Sequence, residues 1–340
     1  QTLRQDMANR ARMSREPDHC QTRTFDSGLA FLDANHQADQ WFLQIETFDP
    51  HEPFFASDPY RCRFSPDYDG PITDWPDYGE LTDPDRAALL DQWRKEYYAL
   101  LAQCDANLGR VLDRMDALNL WEDTMLIVCT DHGFLLGEHN HVAKNLMPLW
   151  EELAHTPLFI WDPRCARRGE RCGQLTSTID WAPTLLEFFG VPVPESMAGQ
   201  PLRETIAADR PIHDCVVFGY HGHYANITDG RHVYMRAAAS PDNAPLYSYT
   251  FQPSHMRAPY PIAQLRTAAP GRAFAHTEGL APTRYDVGPG SAEVMNRFGT
   301  LLYDIVEDPG QTAPLEDPAV EQRMADLLVR ELAAADAPAE

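Results

Sequence analysis

The chain has 340 residues, of which 44% are hydrophobic and 10% aromatic, enough apolar material for a large globular core. Its 28 Lys and Arg residues against 51 Asp and Glu residues give a formal net charge of -23, which argues against nucleic acid and anionic membranes as partners. An anionic substrate would therefore need cations concentrated at its binding site.

The cysteine content and the lengths of the apolar runs argue against two further classes, disulfide-rich and membrane-spanning proteins. The seven cysteines form no CxxC pair and have no regular spacing, which argues against a disulfide framework. No apolar run approaches the roughly 20 residues of a membrane span, so we expect no transmembrane helix. The polar start at Gln1, without a signal-peptide pattern, predicts a processed or truncated chain and indicates no compartment.

The first predicted elements are a strand and a long helix. Residues 41–48 form a short run rich in aromatic and β-branched residues that ends at Asp49-Pro50, which is typical of a buried strand. Thr82 and Asp83 precede Pro84, a pattern that favours a helix start at this point. Steps of four and three residues then predict one apolar helix face, formed by Tyr97, Leu101, Cys104, Leu108, Val111, Met115 and Leu118.

Two further strands and a helix complete the elements predicted before residue 211. The strands are predicted at 124–130 and 157–161, and the helix at 179–189, where Gly190 ends it. The order β, α, β, β, α predicts a mostly parallel sheet flanked by helices.

Beyond residue 211 the pattern changes to short strands. Residues 215–218 and 225–236 are typical of short strands, and Asp229-Gly230 predicts a tight hairpin within the second of these segments. We expect residues 240–289 to form a long ordered loop or a surface excursion, and residues 319–332 to form an amphipathic helix. The prediction is therefore an α/β domain over residues 1–210 and a small antiparallel α+β subdomain over residues 211–340.

The densest group of chemically active residues is 130–145, directly after the second strand. Asp131 and His132 offer an oxygen and a nitrogen ligand to a divalent cation, and the ammonium of Lys144 suits an oxyanion. Two alternatives remain open here. Asp131 could simply cap the next backbone amide in a turn, or zinc could bind His132 with His139 and His141, which we otherwise expect to be loop residues.

His51 lies after the first predicted strand, so we expect it near Asp131, His132 and Lys144 in one crevice if the strands are neighbours. We expect Glu46, Asp49 and Glu52 to be solvated or capping residues.

Several segments in this order resemble the sulfatase family of the alkaline phosphatase superfamily. They include FLQIETFDPHEPF at 42–54, TDHGFLLGEH with the following lysine at 130–144, HTPLFIWDP at 155–163, and STIDWAPTLLEFFG at 177–190. The DHG triplet is similar to that of the iduronate-sulfatase and phosphonate-monoester-hydrolase branches. The resemblance implies an alkaline-phosphatase-like fold, Asp131 and His132 as metal ligands, and Lys144 and His51 as sulfate-contacting residues. It implies Ca²⁺ as the metal, with Mn²⁺ or Mg²⁺ as alternatives.

One part of the family pattern is expected to be missing. The family carries C-x-P-x-R or S-x-P-x-R near its N-terminus, whose Cys or Ser becomes a formylglycine nucleophile, and an Asp-Asp pair that completes the metal site. Cys62 has the wrong spacing, because Arg63-Phe64-Ser65-Pro66 follows it. We therefore expect this chain to lack the nucleophile, to be inactive by itself and to self-associate through uncovered sheet edges.

Three functional hypotheses follow. The first is a metal-dependent sulfuric ester hydrolase that acts on an anionic small molecule or a sugar sulfate ester. The second is a phosphonate or phosphate ester hydrolase on the same scaffold, and the third is a non-catalytic remnant. The sequence does not identify the alcohol part of the substrate.

Overall fold

The computed structural model describes residues 2–255 and 258–338. These residues form two compact units. The first contains the described residues up to Leu126 together with Phe134–Lys144, and the second contains Ile127–Gly133 together with the described residues from Asn145 onward. The predicted division between residues 210 and 211 stays a prediction.

The described residues contain α-helices of four to 34 residues and strands of two to five residues. The α-helices are α1 (Thr2–Arg10), α2 (Cys20–Asn35), α3 (Asp58–Phe64), α4 (Pro84–Ala117), α5 (Glu151–Ala154), α6 (Trp181–Phe188), α7 (Arg203–Ala208), α8 (Ile262–Leu265), α9 (Ala292–Phe298) and α10 (Pro318–Ala334). The strands are β1 (Gly79–Glu80), β2 (Leu126–Cys129), β3 (Leu135–Leu136), β4 (His141–Ala143), β5 (Leu158–Trp161), β6 (Val216–Phe218), β7 (Ala225–Thr228), β8 (His232–Arg236), β9 (Tyr247–Thr250), β10 (Ser254–His255), β11 (Ala258–Pro259), β12 (Ala269–Pro270), β13 (Thr283–Asp286) and β14 (Leu301–Asp304). Within the described residues, no helix combines the length and the apolar character that crossing a bilayer requires.

Helix α4 begins where the sequence predicts. The Asp83 carboxylate accepts a 2.8 Å hydrogen bond from the Asp85 amide, and Pro84 occupies the first turn. Pro is tolerated there because its missing N–H has no acceptor within the helix.

The predicted apolar face of α4 is only partly correct. Val111 and Met115 are buried against Leu29 and Leu32 of α2, as a single apolar stripe requires. Leu101, however, is 42% exposed. In this half of the helix Ala99 and Leu100 are buried instead, in a cluster with Phe54 and Ala56 from the preceding loop. The buried face shifts because different segments cover the two halves of α4.

Residues 41–48 are extended but pair with no strand among the described residues, so the prediction of a hydrogen-bonded strand was wrong. Their side chains alternate between partly buried and exposed. Trp41, Leu43 and Ile45 pack onto the α2 cluster, whereas Phe48 is 68% exposed. The alternating exposure of this segment therefore reflects one face packed on a helix.

The strands predicted after α4 are present, and the helix predicted at 179–189 is confirmed as α6. Strands β2 and β5 form a two-stranded sheet. The predicted mostly parallel sheet is not confirmed, because every pairing whose register is defined in the described residues is antiparallel.

The predicted antiparallel structure after residue 211 is confirmed. A four-stranded sheet has the order β14-β8-β7-β6, and the Asp229-Gly230 turn joins β7 to β8, with Gly230 at a left-handed φ of +87°. Helix α10 covers this sheet, since Met324 and Leu328 pack against Ile227 and Tyr234.

The prediction of a long loop over residues 240–289 was wrong. This segment contains the three-stranded sheet β12-β13-β9 and the pair β10-β11. Its strands are two to four residues long, too short to give a clear alternation in the sequence.

Candidate active site

The His51 loop follows the extended segment 41–48. The His51 amide donates to the carbonyl of Phe48 at 3.1 Å, and the Thr47 hydroxyl donates to the carbonyl of Asp49 at 3.1 Å. The peptide bonds preceding Pro50 and Pro53 are cis. The His51 ring packs on that of Phe48 at a centroid distance of 4.2 Å. Local contacts thus hold the histidine at the end of this segment.

A buried carboxylate lies at the centre of this site. The Glu52 side chain is 3% exposed, and its Oε2 lies 3.3 Å from His51 Nδ1 and 4.0 Å from Lys144 Nζ. The hydroxyl of Tyr78 donates to the other carboxylate oxygen, Oε1. Burial, strengthened by this hydrogen bond, raises the pKa of Tyr78 above its ordinary value. Glu52 therefore joins the two residues that the sequence predicted for the site.

The prediction of a solvated or capping Glu52 was wrong. A buried carboxylate is costly unless cations and hydrogen-bond donors surround it. Its Oε2 accepts no hydrogen bond from the described residues, so the ammonium of Lys144 at 4.0 Å and the imidazole Nδ1 of His51 at 3.3 Å are the nearest groups that compensate its charge. The loop sequence gives no signal of this burial, because Tyr78 and Lys144 are distant along the chain.

The tautomer of His51 follows from its partner. Nδ1 lies 2.7 Å from the backbone carbonyl of Glu52, and a carbonyl oxygen only accepts, so Nδ1 carries the proton. Nε2 is then the nitrogen that can gain or lose a proton.

Lys144 follows a short buried strand. Strand β4 pairs with both β1 and β3, and its Val142 and Ala143 pack on Trp93 of α4. His141, which we predicted to be a loop residue, begins this strand and is buried. The residues flanking Lys144 have left-handed φ values, +77° at Ala143 and +76° at Asn145. Such backbone is uncommon for residues with a side chain and often occurs at functional sites.

Asp131 and His132 lie just beyond β2, as predicted. The Asp131 carboxylate accepts a 2.9 Å hydrogen bond from the His132 amide, and its side chain is 82% exposed. The His132 side chain is 41% exposed, and its Nδ1 lies 2.9 Å from the carbonyl of Gly133. This is the capped turn that the sequence left open as an alternative to metal ligation.

A complete metal site does not form from these two residues. Across residues 2–255 and 258–338, no group of three or more His, Cys, Asp or Glu side chains could hold a metal ion. Calcium requires about six to eight oxygen ligands. Asp131 and His132 alone do not fit this requirement, and the zinc alternative with His139 and His141 has no support in the described residues.

The third position of the DHG triplet, Gly133, has no space for a side chain. Its amide donates to the carbonyl of Leu153 at 2.9 Å. A Cβ at this position would overlap the carbonyl oxygen of Glu152. Only glycine allows the backbone at 152–153 to approach so closely.

One stretch matches the nucleophile pattern that we expected to be missing. Ser57 to Arg61, read SDPYR, has the spacing S-x-P-x-R. It lies after the His51 loop rather than before it. Ser57 is 5% exposed, and its hydroxyl has no hydrogen-bond partner in the described residues. The spacing is therefore present, but the hydroxyl is not accessible to a substrate.

The predicted site residues fall into two groups. His51 and Lys144 meet at Glu52 in the first unit, whereas Asp131 and His132 belong to the second unit. Their convergence in one crevice stays a prediction.

Comparison with known families gives these residues a context. Residues 2–191 match the Sulfatase family, and residues 137–251 match the family described as N-sulphoglucosamine sulphohydrolase, C-terminal.

Two curated relatives are similar over part of the chain. An N-acetylglucosamine-6-O-sulfatase of Bacteroides thetaiotaomicron is 32% identical over 115 residues, which cover 34% of this chain and 20% of that protein. The multifunctional alkaline phosphatase superfamily protein PehA of Trinickia caryophylli is 29% identical over 230 residues, 58% of this chain and 44% of that protein. The matches thus span less than half the length of both relatives.

Two solved structures share the fold. One, in complex with its substrate D-glucosamine-2-N,6-O-disulfate, has a TM-score of 0.61 at 15% identity and covers 93% of this chain and 69% of that chain. The other, a phosphonate monoester hydrolase from Silicibacter pomeroyi, has a TM-score of 0.59 at 19% identity. The match covers 94% of this chain and 61% of that chain. These likenesses support the predicted alkaline-phosphatase-like fold.

Replacing Gly133 by alanine should destabilise the protein by several kcal/mol, since the added methyl group displaces backbone. Gly109 in α4 is the control, because a Cβ there meets no atom within 4 Å outside the adjacent backbone of its own helix. Gly109→Ala should stabilise the helix by about 0.5–1 kcal/mol. Urea denaturation of both variants measures the difference. Equal effects would contradict the close approach at Gly133.

Asp49 should make stability depend on pH. Burial raises its pKa to about 6, above the value of about 3.9 in an unfolded chain. The folded state therefore holds the proton more tightly, and the free energy of unfolding should fall as pH rises from about 4 to about 6. Asp49→Asn removes this loss. The free energy of unfolding of the variant minus that of wild type should therefore increase by about 2 kcal/mol between pH 4 and pH 7. The exposed Asp105→Asn is the control, and identical profiles for both variants would argue against a buried Asp49.

Calcium should bind the 340-residue chain only weakly, with a dissociation constant above about 100 µM, because two exposed ligands form an incomplete site. Calorimetric titration of wild type, Asp131→Asn and the exposed control Asp123→Asn tests this expectation. Low-micromolar binding that disappears only in Asp131→Asn would show that further ligands complete the site.

Proposed function

Because this chain belongs to the sulfatase family, we propose that His51, Glu52 and Lys144 form part of an active site that hydrolyses a sulfate monoester. The observation that carries the proposal is the burial of Glu52 between a lysine and a histidine. In a chain of net charge -23, this arrangement concentrates cationic groups where an anionic ester can bind.

The proposed reaction is R–OSO₃⁻ + H₂O → R–OH + HSO₄⁻. Lys144 stabilises the negative charge on the non-bridging oxygens as the S–O bond breaks. Protonated His51 donates from Nε2 to the departing alcohol oxygen, while its Nδ1 hydrogen bond to the Glu52 carbonyl fixes the ring.

Glu52 is proposed as a positioning residue. Its carboxylate stabilises the imidazolium of His51 from 3.3 Å and restrains the ammonium of Lys144 from 4.0 Å. Tyr78 in turn holds the carboxylate. This arrangement keeps both cationic side chains in place before a substrate arrives.

The nucleophile and the metal are not assigned to residues of this chain. Ser57 has the spacing of the family motif but is buried, so we expect the 340-residue chain by itself to turn over no sulfate ester. In the resembled family a divalent cation, most often Ca²⁺, neutralises the sulfate oxygens. Asp131 and His132 are proposed as two of its ligands, and no step of the mechanism above depends on it.

The proposed substrate class is a sugar sulfate ester. The relative from Bacteroides thetaiotaomicron is a sugar sulfatase by name, and one structural neighbour was solved with a glucosamine disulfate. The second candidate function is hydrolysis of a phosphonate or phosphate ester, favoured by the longer match to the multifunctional PehA. Parallel turnover of an aryl sulfate and an aryl phosphonate by the whole natural protein separates the two.

Lys144→Ala in the whole natural protein should lower kcat/KM by about 10²–10³, because it removes a charge that acts on the transition state. Lys95→Ala is the control, since this lysine has a side chain that is 41% exposed, is paired with Asp91 on α4 and should leave turnover unchanged. Thermal unfolding of both variants separates a loss of chemistry from a loss of fold. A folded Lys144→Ala enzyme with wild-type turnover would refute the role of this lysine.

A further inference from the structure

Arg10, the last residue of helix α1, forms a buried ion pair with a residue distant in sequence. Its guanidinium donates to both carboxylate oxygens of Asp74, from Nη1 at 2.5 Å and from Nη2 at 3.3 Å. Its Nε donates to Asp6, one turn earlier in α1, at 2.7 Å. The side chains of Arg10 and Asp74 are only 9% and 8% exposed. A buried two-point ion pair of this kind fixes the relative position of the segments that it joins.

The same guanidinium packs on the segment that follows the His51 loop. Its central carbon lies 4.5 Å from the ring centroid of Phe55, and the His19 ring stacks on Phe55 at 5.2 Å. Phe55 follows Glu52 by three residues. Arg10 therefore contacts two separate segments, one just after Glu52 and one at Asp74.

The segment that contains Asp74 reaches the Glu52 carboxylate. Residues 65–78 form neither helix nor strand, so tertiary contacts fix their path. The Asp74 carbonyl accepts a 2.6 Å hydrogen bond from the amide of Phe54, two residues after Glu52. Four residues beyond Asp74, the hydroxyl of Tyr78 donates to the Glu52 side chain. Residues 74–78 are thus joined to the backbone beside Glu52 and to its carboxylate.

The two ends of segment 74–78 are held in different ways. The Tyr78 ring packs partly against the cluster that contains Trp93. Near Asp74, however, Ile72 and Trp75 are 69% and 41% exposed, so their apolar side chains contribute little to holding the chain there. At this end the buried ion pair with Arg10 is the stronger restraint.

We propose that Arg10 and Asp74 are positioning residues for the proposed active site. Their ion pair holds segment 74–78 in the place where the Tyr78 hydroxyl meets the Glu52 carboxylate. Loss of the pair should loosen this carboxylate without removing any group that touches the substrate. The expected effect on turnover rests on the proposed function, whereas the expected effect on the position of the segment does not.

Amide hydrogen exchange in the 340-residue chain tests the position of the segment. In Arg10→Gln, the Phe54 amide that donates to the segment should exchange about tenfold faster, while the Met115 amide inside α4 keeps its rate. Arg15→Gln is the matched control, because Arg15 also forms an ion pair but its side chain is 75% exposed. An unchanged rate at Phe54, or equal acceleration at Phe54 and Met115, would overturn the positioning role.

Arg10→Lys provides a milder variant that keeps the charge but lacks the planar fork of donors. It should accelerate exchange at Phe54 about threefold, between wild type and Arg10→Gln. If Arg10→Gln does not fold, Arg10→Lys alone decides, and a wild-type exchange rate at Phe54 in this variant would contradict the proposal.

A double-mutant cycle in the whole natural protein tests whether Arg10 acts through Tyr78. Arg10→Gln and Tyr78→Phe should each lower kcat about tenfold with little change in KM, because neither side chain is proposed to touch the substrate. The double variant should be no slower than Tyr78→Phe alone, since both changes release the same carboxylate. Multiplied losses in the double variant would show that Arg10 acts by another route.

The two measurements separate this inference from the proposed function. If the whole natural protein turns over no sulfate ester, the proposed function fails, while faster exchange at Phe54 in Arg10→Gln still supports the positioning role. If the protein turns over a sulfate ester and Arg10→Gln leaves both kcat and the exchange at Phe54 unchanged, the proposed function stands and the positioning role fails.

Discussion

The arrangement of the proposed site depends on one buried carboxylate. Glu52 is almost fully removed from solvent, and an unpaired charge in that position would cost several kcal/mol. Tyr78 donates to one of its oxygens, and His51 and Lys144 lie near the other. Each of these side chains is restrained by the same charge. The carboxylate therefore couples the stability of this region to the geometry that an anionic substrate would meet.

The scaffold around Glu52 positions these partners. Helix α4 carries Trp93, on which strand β4 packs, and β4 leads directly into Lys144. Ala99 and Leu100 of the same helix pack on Phe54, two residues after Glu52. One long helix thus supports both the histidine loop and the lysine strand. The left-handed backbone on either side of Lys144 is a local cost that this packing offsets.

The second unit contains features of a different kind. Asp131 and His132 form an exposed capped turn that is too small a ligand set for a metal by itself. An open cavity beside β9 is lined largely by aromatic rings and two histidines. The turn at Asp131 and the cavity are therefore separate features of this unit.

The sequence by itself determined the features that depend on neighbours along the chain. The start of α4 at Pro84, the Asp229-Gly230 hairpin and the strand before Asp131 follow from caps, turns and apolar runs of a few residues. The sequence also identified His51 and Lys144 as candidates. Only the tertiary structure decided that Glu52 is buried, that Leu100 rather than Leu101 faces the core, and that residues 41–48 pack on a helix without pairing. Burial and electrostatic compensation depend on residues that are distant in sequence, such as Glu52 and Lys144. A local sequence pattern does not specify which distant side chains come into contact in the folded protein.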